Sequence, residues 1–489
     1  MASLKQKTFS GLIWASIGNV GHGLINLLVT FVLARILLPS DFGVLELVLV
    51  ITSISTVLVD SGFSQAIIRD KESTDLDKNT VFWVNISIAT VLYLILFITA
   101  PAFATFFKAP GFAKLGRVAF ISIIIDSFSN IQNVTFTKEL KFRPIAIASL
   151  LSVIVAGVIA IVMASLGWGV WALIVMILAT SIIKTGCLWL LSKWRPSFQF
   201  SRESLIKYFK FGSFILVQSL IDKIALDIES IVTGRFYTKA QLGYFAQSRK
   251  INSYFGVALT SVVVKVSYPA LVKVGESDER LKQGYRSIVG MTSFVVFPIM
   301  VFIFFFPYDC MEALFGHNWV GAGKYLRLWA CIGLIQPILS ICNNIFLVKG
   351  KSKQLFVLSA IKNITKILVV LIVVRLGIYQ LILGIVVTAW IMAIVFLYYS
   401  GRLIQYRLIE IAMDVLKNTL CSVLSVGLVY FCFRMVNINV IPIVLLLVKA
   451  LAAALLYVLF SIVLKNSNYS DIRNLVFMQF NKKNKCSYL

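Results

Sequence analysis

Apolar runs about twenty residues long alternate with short polar stretches from one end of the chain to the other. A helix needs about 20 residues to cross the hydrocarbon core of a bilayer. Runs of that length fall at 11–33, 43–62, 81–101, 116–135, 145–166, 168–191 and 212–233, then at 244–264, 287–307, 325–347, 357–374, 379–399, 416–434 and 440–463. They predict fourteen membrane spans, the eighth carrying the weakest signal. Only Gly167–Trp168–Gly169 parts spans 5 and 6, which predicts a tight turn. The first run follows Lys5 and Lys7, as a signal peptide would. It is long enough to span, however, and lacks an A-x-A cleavage site, so it reads as the first span.

Composition agrees. Hydrophobic residues make up 59% of the 489 positions and charged ones 14%, with a mean hydropathy of +0.91. Soluble domains carry about a quarter charged residues, so a water-soluble enzyme is excluded. The net charge of +25 would suggest nucleic acid in a soluble protein, but here its distribution speaks for the membrane. Loops on the side of the N-terminus, with both tails, hold 29 Lys and Arg; the opposite loops hold 10, with Lys108, Lys114 and Arg117 as their cluster. That bias places both termini in the cytoplasm, and no nucleic-acid partner is expected. Cys187, Cys310, Cys331, Cys342, Cys421, Cys432 and Cys486 show neither a CxxC pair nor metal-ligand spacing. They read as small buried hydrophobes.

The chain also matches itself. Leu33–Ala34–Arg35 through Asp41–Phe42–Gly43 aligns with Thr233–Gly234–Arg235 through Gln241–Leu242–Gly243, 200 residues on. Ile131–Gln132–Asn133–Val134–Thr135–Phe136, followed by Lys138, Lys141 and Arg143, resembles Ile341–Cys342–Asn343–Asn344–Ile345–Phe346 with Lys349, Lys351 and Lys353. These matches relate span 1 to span 7 and span 4 to span 10, so both copies enter the membrane in the same direction. The expected organisation is two parallel six-helix lobes, 1–195 and 212–400, two further spans in 401–464 and a basic tail at 465–489. Residues 196–211 join the lobes. Their Arg202, Glu203, Lys207 and Lys210, interleaved with Leu205, Ile206, Tyr208 and Phe209, fit either a linker on the cytoplasmic surface or an N-terminal extension of span 7.

Ionisable residues inside spans face a bundle interior or an aqueous path. At 100° per residue, Gln218, Ser219, Asp222, Lys223, Asp227, Glu229, Ser230 and Thr233 share one half of span 7. Lys223 and Asp227 are spaced to pair, and Asp222 and Glu229 lie seven apart along the face. This cluster either lines a cavity that handles a proton, a cation or a charged substrate, or is an internal salt bridge holding the lobe together. Span 1 repeats the stripe with Ser16, Asn19, Gly23, Asn26 and Thr30, and with His22 beside it as a protonatable candidate. Packing is an equal reading for that histidine. Span 4 offers Ser122, Asp126, Ser129, Asn130 and Asn133. Arg249 and Lys250 in span 8, with Lys362 and Lys366 on one face of span 11, suit a phosphate-bearing substrate or anionic headgroups. Arg35 and Arg235, at matching outer ends, either attract an anion or snorkel to the headgroups, the second being the expected role. No Walker A, HExxH, GxSxG or glycine-rich nucleotide fingerprint occurs, so neither a cofactor nor ATP hydrolysis is expected.

The opening Gly11–Leu12–Ile13–Trp14–Ala15, the turn from Leu33–Ala34–Arg35 to Pro39–Ser40–Asp41–Phe42–Gly43 and the Asp60–Ser61–Gly62–Phe63 ending of span 2 carry a resemblance. In these the chain resembles the Wzx-type polysaccharide flippases, of the superfamily that also holds multidrug extruders and lipid II flippases. That resemblance implies a V-shaped, alternating-access transporter, not an enzyme, in a bacterial inner membrane. Its cargo would be a polyprenyl-diphosphate oligosaccharide for O-antigen, capsule or exopolysaccharide, and its drive a proton or sodium gradient. It further implies a cationic cavity, for which Lys223, Arg249, Lys250, Lys362 and Lys366 are candidates. His22, Asn26, Asp126, Asp222, Asp227 and Glu229 are the candidates for the cavity wall or ion coupling. Membrane lipids, a glycan polymerase and a monomeric state complete the expectation. The rivals are a cation-coupled drug exporter, which would want an acidic cavity, and a non-transport part of glycan assembly.

Overall fold

The computed structural model describes residues 4–257, 271–272, 277–435, 440–470 and 473. They form α-helices with short 3-10 and π turns. The chain divides into two compact units, Met1–Ala246 and Gln247–Leu489. Helices α1 (Leu4–Ile36), α2 (Pro39–Asp60), α3 (Phe63–Arg69), α4 (Asp75–Phe106), α5 (Phe112–Ala119) and α6 (Ile121–Ser127) open the first unit. It continues with α7 (Asn130–Lys138), α8 (Phe142–Ser165), α9 (Val170–Leu191) and α10 (Arg202–Phe236), and α11 (Lys239–Asn252) runs into the second. The second unit holds α12 (Asp278–Phe305), α13 (Pro307–Phe315), α14 (Gly323–Val348) and α15 (Ser352–Val373). It ends with α16 (Ile378–Leu403), α17 (Leu408–Met435) and α18 (Pro442–Val463).

Each expected span falls on helix, the eighth only in part, because residues 258–264 lie outside the described residues. Among the described residues, 11 helices are long and apolar enough to cross a membrane. Spans 4, 7 and 8 are the exceptions, and two of them are instructive.

Span 4 is broken into α5, α6 and α7. The breaks have a local cause and a distant one. Ser127 and Ser129 donate to the carbonyls of Ile124 and Asp126 at 2.7 and 3.0 Å, competing with the helical ladder. Carbonyls are then taken from outside: Thr185 on α9 donates to Ile125 O at 3.1 Å, and the Trp189 indole to Phe128 O at 2.9 Å. Span 7 is too polar. Its helix α10 is 35 residues long, or about 52 Å at 1.5 Å per residue, against about 30 Å of hydrocarbon. From Arg202 onward the segment between the sixth and seventh spans is the first turns of this one continuous helix.

Both sequence matches are visible as repeated turns. Before α2, Leu38 N–H donates to Asp41 Oδ2 at 3.0 Å; before α11, Thr238 N–H donates to Gln241 Oε1 at 3.1 Å. This is one capping arrangement built twice, 200 residues apart. Likewise, Lys141 N–H reaches Phe136 O and Lys351 N–H reaches Phe346 O, both at 2.8 Å. The left-handed residue each such helix end requires is Leu140 (φ 57°) in one copy and Gly350 (φ 65°) in the other. The turn between α8 and α9 is tight as expected, with Gly167 and Gly169 both at positive φ. In the second unit α17 is fixed to α12 by buried Asn418, which donates to Gly290 O at 3.0 Å and Ser293 Oγ at 2.7 Å and accepts from Asn466 at 2.7 Å.

Candidate functional site

Helix α10 packs antiparallel along the whole of α2, and the polar residues of its span are sorted by that contact. Lys223 Nζ lies 3.1 Å from Asp227 Oδ2, the pairing that their spacing predicts. Asp227 also accepts a 2.9 Å bond from Ser53 of α2, and Ser230 donates to Glu46 of α2 at 2.7 Å. Asp227, Glu229, Ser230 and Thr233 are buried, Lys223 is half-buried and Asp222 is exposed. At 100° per residue, Lys223, Asp227 and Ser230 lie within about 60° of one another, and Asp227 and Ser230 bond to α2. Asp222 is about 100° round from Lys223, off that face. Asp222 and Glu229 therefore share a direction along α10 but not an environment. The opposite side of α10 is apolar and exposed, with Val217, Ile221 and Ile224.

The inner end of this helix pair is tied by a second cluster. Asp70, in the loop after α3, accepts from Lys207 at 2.6 Å and from the Tyr208 hydroxyl at 2.7 Å, both on α10. These hydrogen bonds, Lys207 first, hold the Asp70 carboxyl down at about 2. Lys138, closing α7, donates to the Asp70 carbonyl at 2.5 Å, and Arg69 sits over the Phe211 ring at 4.4 Å.

His22 and Asn26 on α1 are half-buried, and Thr30 donates to Asn26 O at 2.6 Å. His22 and Asp126 on α6 converge on Lys184 of α9, with Ser181 of α9 beside Asp126. The structure thus gathers two residues that the sequence kept apart around a lysine that its pattern did not single out. Arg249, Lys250, Lys362 and Lys366 all belong to the second unit and are half-buried; Lys362 lies 5.9 Å from the centre of the Phe396 ring. In that unit Lys449 of α18, only 7% exposed, pairs with Asp309 of α13 at 2.6 Å and sits over the Phe306 ring at 5.0 Å. Nearby is an apolar cavity of about 510 Å³, walled by α12, α17 and α18 with residues such as Phe302, Val426, Ala450, Ala454 and Tyr457.

Glu46, Ser53, Lys184 and Lys449 are the residues that pattern reading passed over. Glu46 and Lys449 stand alone in apolar runs, whereas Ser53 lies among Thr52, Ser55 and Thr56 and Lys184 beside Ser181 and Thr185; for the charges the available signal was that an intramembrane charge needs a partner. Among the described residues no group of His, Cys, Asp and Glu could hold a metal ion. Carboxylates with hydroxyl donors and a shared lysine can exchange partners or take up a proton without a cofactor.

The fold matches the lipid II flippase MurJ in an inward closed conformation, with a TM-score of 0.75 at 16% identity, over 94% of this chain and 99% of that one. An inward-facing multidrug-resistance MATE family transporter matches with a TM-score of 0.60 at 19% identity, over 81% and 98%. Fold and composition together define a multi-pass, all-α membrane protein of the MurJ fold. The chain belongs to the polysaccharide biosynthesis protein family, whose model matches residues 32–324. It is 22% identical to the teichuronic acid biosynthesis protein TuaB of Bacillus subtilis over 73% of this chain and 74% of that one. It is 23% identical to the lipopolysaccharide biosynthesis protein WzxC of Escherichia coli over 71% of each. The succinoglycan biosynthesis transport protein ExoT of Rhizobium meliloti is 24% identical over 68% of this chain and 66% of that one.

Proposed function

We propose that the protein is a flippase that carries a polyprenyl-diphosphate-linked oligosaccharide from the cytoplasmic to the outer leaflet by alternating access. One contrast carries the reading: a charged, hydroxyl-bearing face on α10 in an otherwise apolar membrane chain that also encloses an apolar cavity. A glycan diphosphate loses several kcal/mol for each polar group left unpaired in hydrocarbon, so the head needs a polar path. The prenyl tail needs none and fits a cavity between helices or the lipid itself. The names of TuaB, WzxC and ExoT support a glycan cargo. In this reading Lys223, Arg249, Lys250, Lys362 and Lys366 meet the diphosphate, while His22, Asp126, Asp222, Asp227 and Glu229, with Asn26, serve the cavity wall and ion coupling. Both termini lie in the cytoplasm, the monomer is the working unit and a glycan polymerase takes the flipped product.

A second reading has its own observation. The α2–α10 contact carries two carboxylates, Glu46 and Asp227, and one lysine, Lys223, an acidic balance that suits a cationic solute exchanged for protons. Reconstitution separates the two. Leaflet transfer of a polyprenyl-diphosphate oligosaccharide that accelerates under an imposed proton or sodium gradient is expected. Efflux of organic cations with no lipid transfer under any gradient would replace the first reading with the second.

A further inference from the structure

The two copies of the repeated turn do more than resemble each other; they touch, and they touch reciprocally. A Cβ built on Gly43 would lie 1.9 Å from the carbonyl oxygen of Lys239, and one built on Gly243 would lie 1.9 Å from that of Pro39. Residue 43 meets 239, which is 39 of the other copy, and residue 243 meets 39. This is the contact pattern of a two-fold axis, here produced inside one chain by the 200-residue repeat. Small residues let helix backbones approach this closely within a membrane, and no residue with a Cβ fits either position. On the charge-derived orientation the crossing lies at the outer end of α2 and α10.

Directly inward of it, half-buried Ser53 and Glu46 of α2 meet buried Asp227 and Ser230 of α10. Charges and hydroxyls are a costly lining for a joint that never opens, since apolar packing would close it at least as well. They are the lining expected of a path that is wet at another stage of the cycle. We propose that Gly43 and Gly243 are paired gate residues, a backbone-to-backbone closure at the outer end that each transport cycle must part. The proposal rests on the transport reading and identifies positioning residues for it; neither glycine touches cargo.

The test uses full-length protein in proteoliposomes with its native cysteines replaced and reporters at Leu38→Cys and Thr238→Cys, the residues that precede Pro39 and Lys239. Spin-label distances should show a short population in the parent. Gly43→Ala and Gly243→Ala should each convert most molecules to a longer distance, the added methyl having no room in the closed contact. One unchanged short distance in folded alanine variants would overturn the proposal. Should those variants fail to fold, a disulfide between the two reporter cysteines decides instead. It should abolish transfer of polyprenyl-diphosphate oligosaccharide and release it on reduction; transfer at the full rate by the cross-linked protein would show that the contact never opens. The distance measurement needs no cargo, so failure of the cargo assignment leaves it readable.

Discussion

The α2–α10 face of the first unit and the apolar cavity of the second are both enclosed by long helices, yet they are built by opposite rules. Along α2–α10 small and polar residues recur at the contact: Gly62 against Gly212 at the inner end, Gly234 against Leu47 near the outer one, and hydroxyls and carboxylates between. Around the cavity the walls are Phe, Leu, Val and Ala, and the polar groups are kept to its margins. Asn418 ties α17 to α12, and the Lys449–Asp309 pair ties α18 to α13. On the gate proposal, polar groups in the first region lie where opening would expose them, whereas those in the second tie neighbouring helices together. The difference teaches that charge inside a membrane protein is not by itself a mark of transport. What its partners belong to decides: Asp227 is shared between a lysine on its own helix and a hydroxyl across the contact, while Lys449 is engaged by Asp309 of a neighbouring helix and by two aromatic rings.

This contrast predicts unequal losses. Lys223→Met leaves buried Asp227 with the Ser53 hydroxyl and no cation, and breaking such a pair costs about 3–5 kcal/mol if the carboxylate stays charged. Leaflet transfer should fall by more than tenfold, and Lys223→Met/Asp227→Asn should recover thermal stability but not transfer. Full transfer by folded Lys223→Met would erase the functional side of the comparison. In the cavity, Ala450→Trp should leave the melting midpoint within a few degrees, because the side chain enters open space, while slowing transfer of a long-tailed cargo more than a short-tailed one. Equal slowing of both would mean that the tail does not enter there. The smallest effect concerns Lys239 at the outer crossing. Burial, helped by Arg235 and Lys108, lowers its ammonium to about 8. A lysine depressed when folded is penalised below about 8 and relieved as the unfolded chain, near about 10.4, loses its proton too. Between those values the unfolded state binds more protons, so stability rises with pH. Lys239→Met should lack that rise in a thermal-melt series.

Much of this was legible in the sequence, and the reasons are physical. A twenty-residue apolar run can hardly be anything but a span, and stepping 100° per residue found the charged face of α10 because every residue in that argument lies on one helix. Pairing across helices was not legible. Glu46 is isolated in the apolar run of α2 and Ser53 is one of four hydroxyls in Thr52–Thr56, and nothing local says that they face Ser230 and Asp227. The break in span 4 depends on Thr185 and Trp189, some sixty residues away, so its apolar composition read as one helix. Asp222 and Lys223 are neighbours in sequence, and only the position of α2 separates the exposed one from the paired one. The repeat was visible as weak letter matches, but its strongest sign, Gly43 and Gly243 each against the other copy's backbone, is geometric.

The central claim is that head and tail of one cargo are handled by different regions. Photo-cross-linking tests it most directly, with two versions of a polyprenyl-diphosphate oligosaccharide that carry the reactive group either on the first sugar or midway along the prenyl chain. Peptide mapping should place the sugar-borne label on α10 around Lys223 and Asp227, and the prenyl-borne label on α17 and α18 around Val426, Ala450 and Ala454. Both labels on the same helix, or a sugar-borne label on α18, would contradict the account.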